Sequence, residues 1–185
     1  GVSHDVDEII IHPSYTGWKF DIAIIRLEEP VEGVVPHPIY RETDERDKQI
    51  IILGRGIHGT GLEGEDRGSD DARLRRATNT IDTTNNHWLK VYFARPTDDD
   101  VTELEGVGAG GDSGGPAFIE LDGLLYIAGL NSWGDGVGGS DIGEYGALDA
   151  STRITRYLEW IDETVDLSEV DYYGESEIDD PIDDT

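Results

Sequence analysis

Apolar residues come in short bursts along this chain: EIIIH at 8–12, IAIIRL at 22–27, QIIILG at 49–54, LKVYF at 89–93 and LLYIAGL at 124–130. Gly, Asn, Asp and Pro separate them. Bursts this short, rich in strand formers and bounded by turn formers, predict mostly antiparallel β-structure. Residues 5–28 read as two strands joined by the turn HPSYTGWK, the second of them the buried-looking DIAIIRL. The segment GRGIHGTGLEGEDRGSDDAR reads as a long surface loop, and residues 132–146 as another Gly-rich loop. Ile154, Tyr157, Leu158, Ile161 and Val165 then recur at helical spacing, which predicts one amphipathic helix closing the fold. No apolar run approaches the roughly 18 residues of a membrane span.

Breaks in this pattern divide the chain. The polar run RETDERDK has the composition of a connection between two cores, with residues 42–48 as the linker. Residues 1–41 form one unit before it and residues 49–165 a second unit after it. The tail, residues 166–185, is acidic and aperiodic and is expected to be disordered.

Charge narrows the function classes. With 41 acidic and 14 basic residues the formal net charge is −27, which opposes binding to nucleic acid or to an anionic membrane surface. The absence of cysteine removes disulfides and thiolate metal sites. The acidic runs at 98–100 and 179–184 lack the alternating ligand spacing of a calcium loop and read as solvated charge, so neither metal nor cofactor is expected. A chain that begins at Gly1 and contains no methionine is expected to derive from a longer precursor; no signal peptide is visible in it.

The densest chemistry lies in GAGGDSGGPAFIE, residues 108–120. Glycine adopts backbone angles closed to other residues and lets a ligand approach the main chain closely. A tight turn here can aim the N–H groups of Gly111 and Ser113 at one point beside the Ser113 hydroxyl. Such a pair stabilises the oxyanion of an acyl-transfer intermediate, where removing one donor costs about 3–4 kcal/mol of barrier. A lone GxSxG is often an ordinary turn; the full hexapeptide GDSGGP is far more specific.

The hexapeptide and its neighbours resemble the trypsin-like (chymotrypsin-fold) serine proteases. IIIHPSYTGWKFDIAIIRLEEPV is similar to the segment carrying the triad aspartate, which implies that role for Asp21. GDSGGP implies Ser113 as the nucleophile, with Gly111 and Ser113 as the oxyanion hole. NSWG is similar to the family's substrate-binding strand at Ser132, Trp133 and Gly134, and EYG followed by TRITRYLEWI to the run into the C-terminal helix. The resemblance implies an all-β double barrel with a C-terminal α-helix, in which the C-terminal barrel is complete and the N-terminal barrel only partial. It further implies that Asp112 pairs with a new N-terminal ammonium after zymogen cleavage. The lack of cysteine fits a disulfide-free, bacterial member that is secreted or periplasmic. Its partners are then a polypeptide substrate and a protein inhibitor or activating protease.

One role is empty. The family's catalytic histidine precedes the aspartate by several strands, and only His4 and His12 precede Asp21, neither in the expected context. His37, His58 and His87 read as loop or surface residues. Two explanations stand: a serine endopeptidase N-terminally truncated in this sequence and therefore inactive as it stands, or a protease-like binding module without catalysis. The first is preferred, because a lineage without catalysis has no physical reason to keep Ser113, Asp21 and the glycines together. By resemblance Val107, six residues before the serine, is the pocket floor, with Gly134 and Gly143 as walls, which implies cleavage after a non-basic side chain. A different alignment of VGGSDIGE brings Asp141 to the pocket and restores a basic preference.

Overall fold

A computed structural model describes residues 2–69, 71–168 and 170–172. Most of the acidic tail, and its expected disorder, lies outside the described residues. The chain forms strands β1 (Val6–Ile11), β2 (Ala23–Leu27), β3 (Gln49–Gly54), β4 (His58–Thr60), β5 (Gly64–Asp66), β6 (Arg75–Thr80), β7 (Thr83–Thr84), β8 (Trp88–Tyr92), β9 (Pro116–Leu121), β10 (Leu124–Asp135) and β11 (Leu148–Arg153). A 3-10 turn, Ile154–Tyr157, runs into helix α1 (Leu158–Thr164). The mostly β architecture with one closing helix agrees with the fold class expected from the sequence.

Seven strands make one curled antiparallel sheet in the order β6-β3-β9-β10-β11-β8-β7. The 12-residue β10 carries the curl, pairing with β9 along its first half and with β11 along its second. Register shifts at Ile127/Gly129 and Asn131/Trp133 bend it, as β-bulges do. Asn79 on β6 donates to the Tyr92 carbonyl of β8 at 3.1 Å, which draws the two sides of the sheet together. Tyr40, Ile50, Ile81, Leu89, Val91, Ala117, Ile119 and Ala128 fill the enclosed core. Burial of this kind contributes about 1.5–3 kcal/mol per large apolar side chain.

The hairpin β1–β2 stands as a separate two-stranded sheet, with Ile9, Ile11 and Ile25 each more than half exposed. DIAIIRL is therefore less buried than its composition suggests; only Ile22 at its start is enclosed. Ile22 joins Ile154, Tyr157 and Ile161 in a second core, with Phe20, Ile127 and Leu130 packed around them. The helix thus wedges the hairpin's end against the large sheet. Val165 falls just past the helix in extended backbone, although its N–H still reaches the Ile161 carbonyl at 2.9 Å.

The linker is anchored rather than loose. Glu45 is wholly buried and accepts hydrogen bonds from Arg153 at 2.8 and 2.7 Å and from Thr155 at 2.7 Å. Burial pushes its carboxyl up, but the Arg153 and Thr155 bonds outweigh this and hold it below the usual glutamate value. The segment expected as a long surface loop contains the hairpin β4–β5. Its glycines permit close pairing: a Cβ on Gly59 would lie 1.9 Å from the Gly64 carbonyl oxygen.

Candidate active site

Ser113 sits in the turn that enters β9, exposed to solvent. The turn is tied down by backbone bonds from Asp112 to Ala109 (3.0 Å), Gly115 to Asp112 (2.9 Å) and Gly114 to the Asn131 carbonyl (2.8 Å). Gly111 and Gly114 have φ of +98° and +78°, a region that penalises any residue with a Cβ. Among the described residues the N–H groups of Asp112, Gly114 and Gly115 find intramolecular acceptors, while those of Gly111 and Ser113 find none. These are the two donors named from the sequence.

Asp112 lines both a cavity on the Gly54 and Gly56 side and the one beside Ser113. It accepts from the Gly56 N–H at 2.7 Å and the Ala109 N–H at 3.0 Å. Gly54 and Gly56 make room for it, since a Cβ on either would fall within 3 Å of Asp112 Oδ1. A cavity of about 190 Å³ opens there, lined by Gly56, Arg75, Val107 and Gly143 among others.

Asp21 lies at the centre of a three-residue turn in which the Ile22 N–H reaches the Phe20 carbonyl at 2.9 Å. Phe20 (φ 57°) and Ile22 flank it and pack into the helix core, so the aspartate is held at its base. Ser132 Oγ donates to Asp21 Oδ2 at 2.6 Å, and Thr152 Oγ1 donates to the Asp21 carbonyl at 3.0 Å. Ser132, Trp133 and Gly134 lie on β10, and all three line a second cavity of about 210 Å³ together with Ser113. Ser132 therefore links Asp21 to the cavity of the serine. Trp133 is fixed edge-on to Trp88, ring centroids 5.7 Å apart.

Two of the residues named from the sequence stand elsewhere. Val107 packs against the enclosed core and faces the Asp112 cavity, not the Ser113 cavity. Gly143 (φ +78°) lies against Glu65 beside that same first cavity, while its neighbour Ile142 lines the one at Ser113. Asp141 is exposed and outside both linings.

The residue that sequence reasoning missed is Asp149 on β11. It is only 6% exposed and lines the Ser113 cavity. Its Oδ2 accepts the Gly108 N–H at 2.8 Å and its Oδ1 the Ala150 N–H at 3.0 Å. Burial, reinforced by Asp112 and Glu65, pushes its carboxyl above the usual aspartate value. The signal available was an acidic residue set in the otherwise apolar and small run GALDAS.

No histidine among the described residues hydrogen-bonds Asp21 or Ser113. His12 and His87 face the aromatic group of Phe20 and Tyr157, and His37 stands edge-on to Phe118. His58 Nδ1 is buried near β5 without a protein partner among the described residues. Burial, and Arg156 nearby, lower the basicity of His12; burial, then Lys19 and Arg156, lower that of His87.

The sequence model of the trypsin family matches residues 2–161. Vitamin K-dependent protein C of Oryctolagus cuniculus is 26% identical over 181 residues, covering 89% of this chain and 38% of the relative. Urokinase-type plasminogen activator of Gallus gallus is 33% identical over 171 residues, covering 85% and 38%. Serine proteinase stubble of Drosophila melanogaster is 28% identical over 177 residues, covering 89% and 21%. The chain thus spans well under half the length of these relatives.

Proposed function

Because the chain belongs to the trypsin family of serine proteases, we propose that it carries the nucleophile, the orienting acid and the oxyanion hole of a secreted serine endopeptidase. The observation that supports this best is the pair of unengaged N–H groups, Gly111 and Ser113, beside the exposed Ser113 hydroxyl. In this reading Ser113 Oγ attacks a scissile carbonyl, and the carbonyl oxygen, gaining charge, is received by those two donors. A histidine between Ser113 and Asp21 takes the serine proton and returns it to the leaving amine; Asp21, steadied by Ser132, fixes that histidine's tautomer.

None of the five histidines of this sequence occupies that place, so the 185 residues on their own hydrolyse little. The substrate is an extended polypeptide that adds a strand against Ser132–Gly134. Asp112, in its glycine-lined cavity, receives an N-terminal ammonium on activation, which converts a half-buried carboxylate held by two amides into half of an ion pair.

The deciding experiment is hydrolysis of peptide substrates by the protein as its source makes it, beside a Ser113→Ala version. Hydrolysis lost with Ser113 supports the endopeptidase. A source-made protein that binds polypeptide and cleaves none overturns it in favour of a protease-like binding module.

A further inference from the structure

The hairpin β4–β5 reaches the serine turn through one side chain, Glu65. Its Oε1 accepts the Gly110 N–H at 3.0 Å. On the other side of the same residue, the Gly110 carbonyl accepts the Ile57 N–H at 2.9 Å. Gly110 is thus held at both its donor and its acceptor, immediately before Gly111.

The hold matters because the backbone here has little stiffness of its own. Gly110 and Gly111 are consecutive glycines, and Gly111 stands at φ +98°, so no Cβ restricts either residue. Rotation of the peptide plane between them would carry the Gly111 N–H away from the point beside Ser113. A donor that stabilises an oxyanion must be fixed before the charge develops. The Ile57 bond pins the plane that contains the Gly111 N–H, and the Glu65 bond pins the plane before it. Together they fix both rotations about the Gly110 Cα.

Glu65 is itself braced from behind. A Cβ on Gly143 would stand 3.1 Å from Glu65 Cγ, and one on Gly64 would stand 2.9 Å from the Ile142 carbonyl oxygen, so both glycines let the hairpin lie close against this loop. The Tyr145 N–H donates to the Gly61 carbonyl at 2.8 Å, and Ser69 Oγ accepts the His58 N–H at 2.8 Å at the hairpin's base. The charge of Glu65, by contrast, is unfavourable where it lies. It lines the Ser113 cavity with Asp112 and Asp149, and among the described residues no arginine or lysine forms an ion pair with it. Like charges repel, so what favours this side chain is the acceptor it aims at Gly110.

We propose that Glu65 is a positioning residue of the oxyanion hole, which holds the Gly110 N–H and so fixes the peptide that presents the Gly111 N–H to the substrate oxygen. The catalytic consequence rests on the reading of Gly111 as an oxyanion donor; the hold on Gly110 does not.

Two variants separate acceptor from charge: Glu65→Ala removes both, and Glu65→Gln keeps an oxygen acceptor. Amide NMR relaxation of the 185-residue chain reads the hold directly. Glu65→Ala should lower the order parameters of Gly110 and Gly111, and Glu65→Gln should leave them near those of the wild type. In the source-made protein, Glu65→Ala should lower kcat for a peptide substrate at least about tenfold with KM changed by less than about twofold, the pattern of a lost transition-state interaction. A peptide boronic acid, whose tetrahedral adduct on Ser113 places an oxygen in the hole, should lose affinity by a similar factor, and Glu65→Gln should restore most of both. Unchanged order at Gly110 and Gly111 in Glu65→Ala, equal losses in the Ala and Gln variants, or a change confined to KM overturns the inference. A source-made protein that hydrolyses nothing overturns the protease reading alone, and the order parameters still decide whether Glu65 holds Gly110.

Discussion

Ser132 Oγ meets Asp21 Oδ2 at 2.6 Å across 111 residues of chain, joining the end of the β1–β2 hairpin to the middle of the large sheet. The bond is charge-assisted and partly buried, so it both holds the hairpin and aims the carboxylate. Ser132→Ala is expected to cost about 1.5–3 kcal/mol of stability, the range for hydrogen bonds to charged groups. Thermal unfolding of the chain checks it; an unchanged midpoint would show that the Thr152 bond to the Asp21 carbonyl and the packing of Phe20 and Ile22 suffice to hold the hairpin.

Glu45 and Arg153 provide the second long-range tie. Glu45→Gln leaves Arg153, itself largely covered, without its counter-charge, and should destabilise the fold by about 3–5 kcal/mol. The pH dependence follows from the lowered carboxyl. A group depressed on folding stabilises fully above its unfolded value and loses that contribution as pH falls through the folded one. Denaturant titrations should therefore show wild-type stability declining in the acid range below the ordinary glutamate value. Glu45→Gln should lack that part of the decline.

Much of the site could be read in the sequence because its parts are local. GDSGGP specifies its own turn through Gly111 and Gly114, whose positive φ few other residues tolerate. NSWG lies in one strand, so its three residues necessarily share a neighbourhood. Asp149 could not be placed this way. Whether it faces the Ser113 cavity depends on the register of β11 against β10 and on the bulge at Asn131/Trp133, a long-range property. Val107 shows the converse, a position inferred by resemblance whose partly buried side chain packs against the enclosed core. The β4–β5 hairpin was hidden because its glycines, read as loop formers, serve as contact points between paired strands.

Gly54 tests the support beneath the Ser113 turn. A Cβ there would lie 1.9 Å from Asp112 Oδ1 and 2.4 Å from its Cγ, so Gly54→Ala must push the carboxylate off the Gly56 amide. The expected cost is about 1–3 kcal/mol, from crowding and the lost hydrogen bond together. Amide hydrogen exchange should speed up at Gly114 and Gly115, whose bonds hold the turn. Unchanged protection there would mean that Asp112 does not brace the serine.

Asp149 carries the last prediction, and its sign is opposite to that of Glu45. Its carboxyl is raised by burial first, then by Asp112 from the serine turn and Glu65 from β5, the acids that face it. A carboxyl raised on folding stabilises fully below its unfolded value and loses that contribution as pH climbs through the folded one. Denaturant titrations should therefore show wild-type stability declining as pH rises above the ordinary aspartate range, and Asp149→Asn should lack that part of the decline.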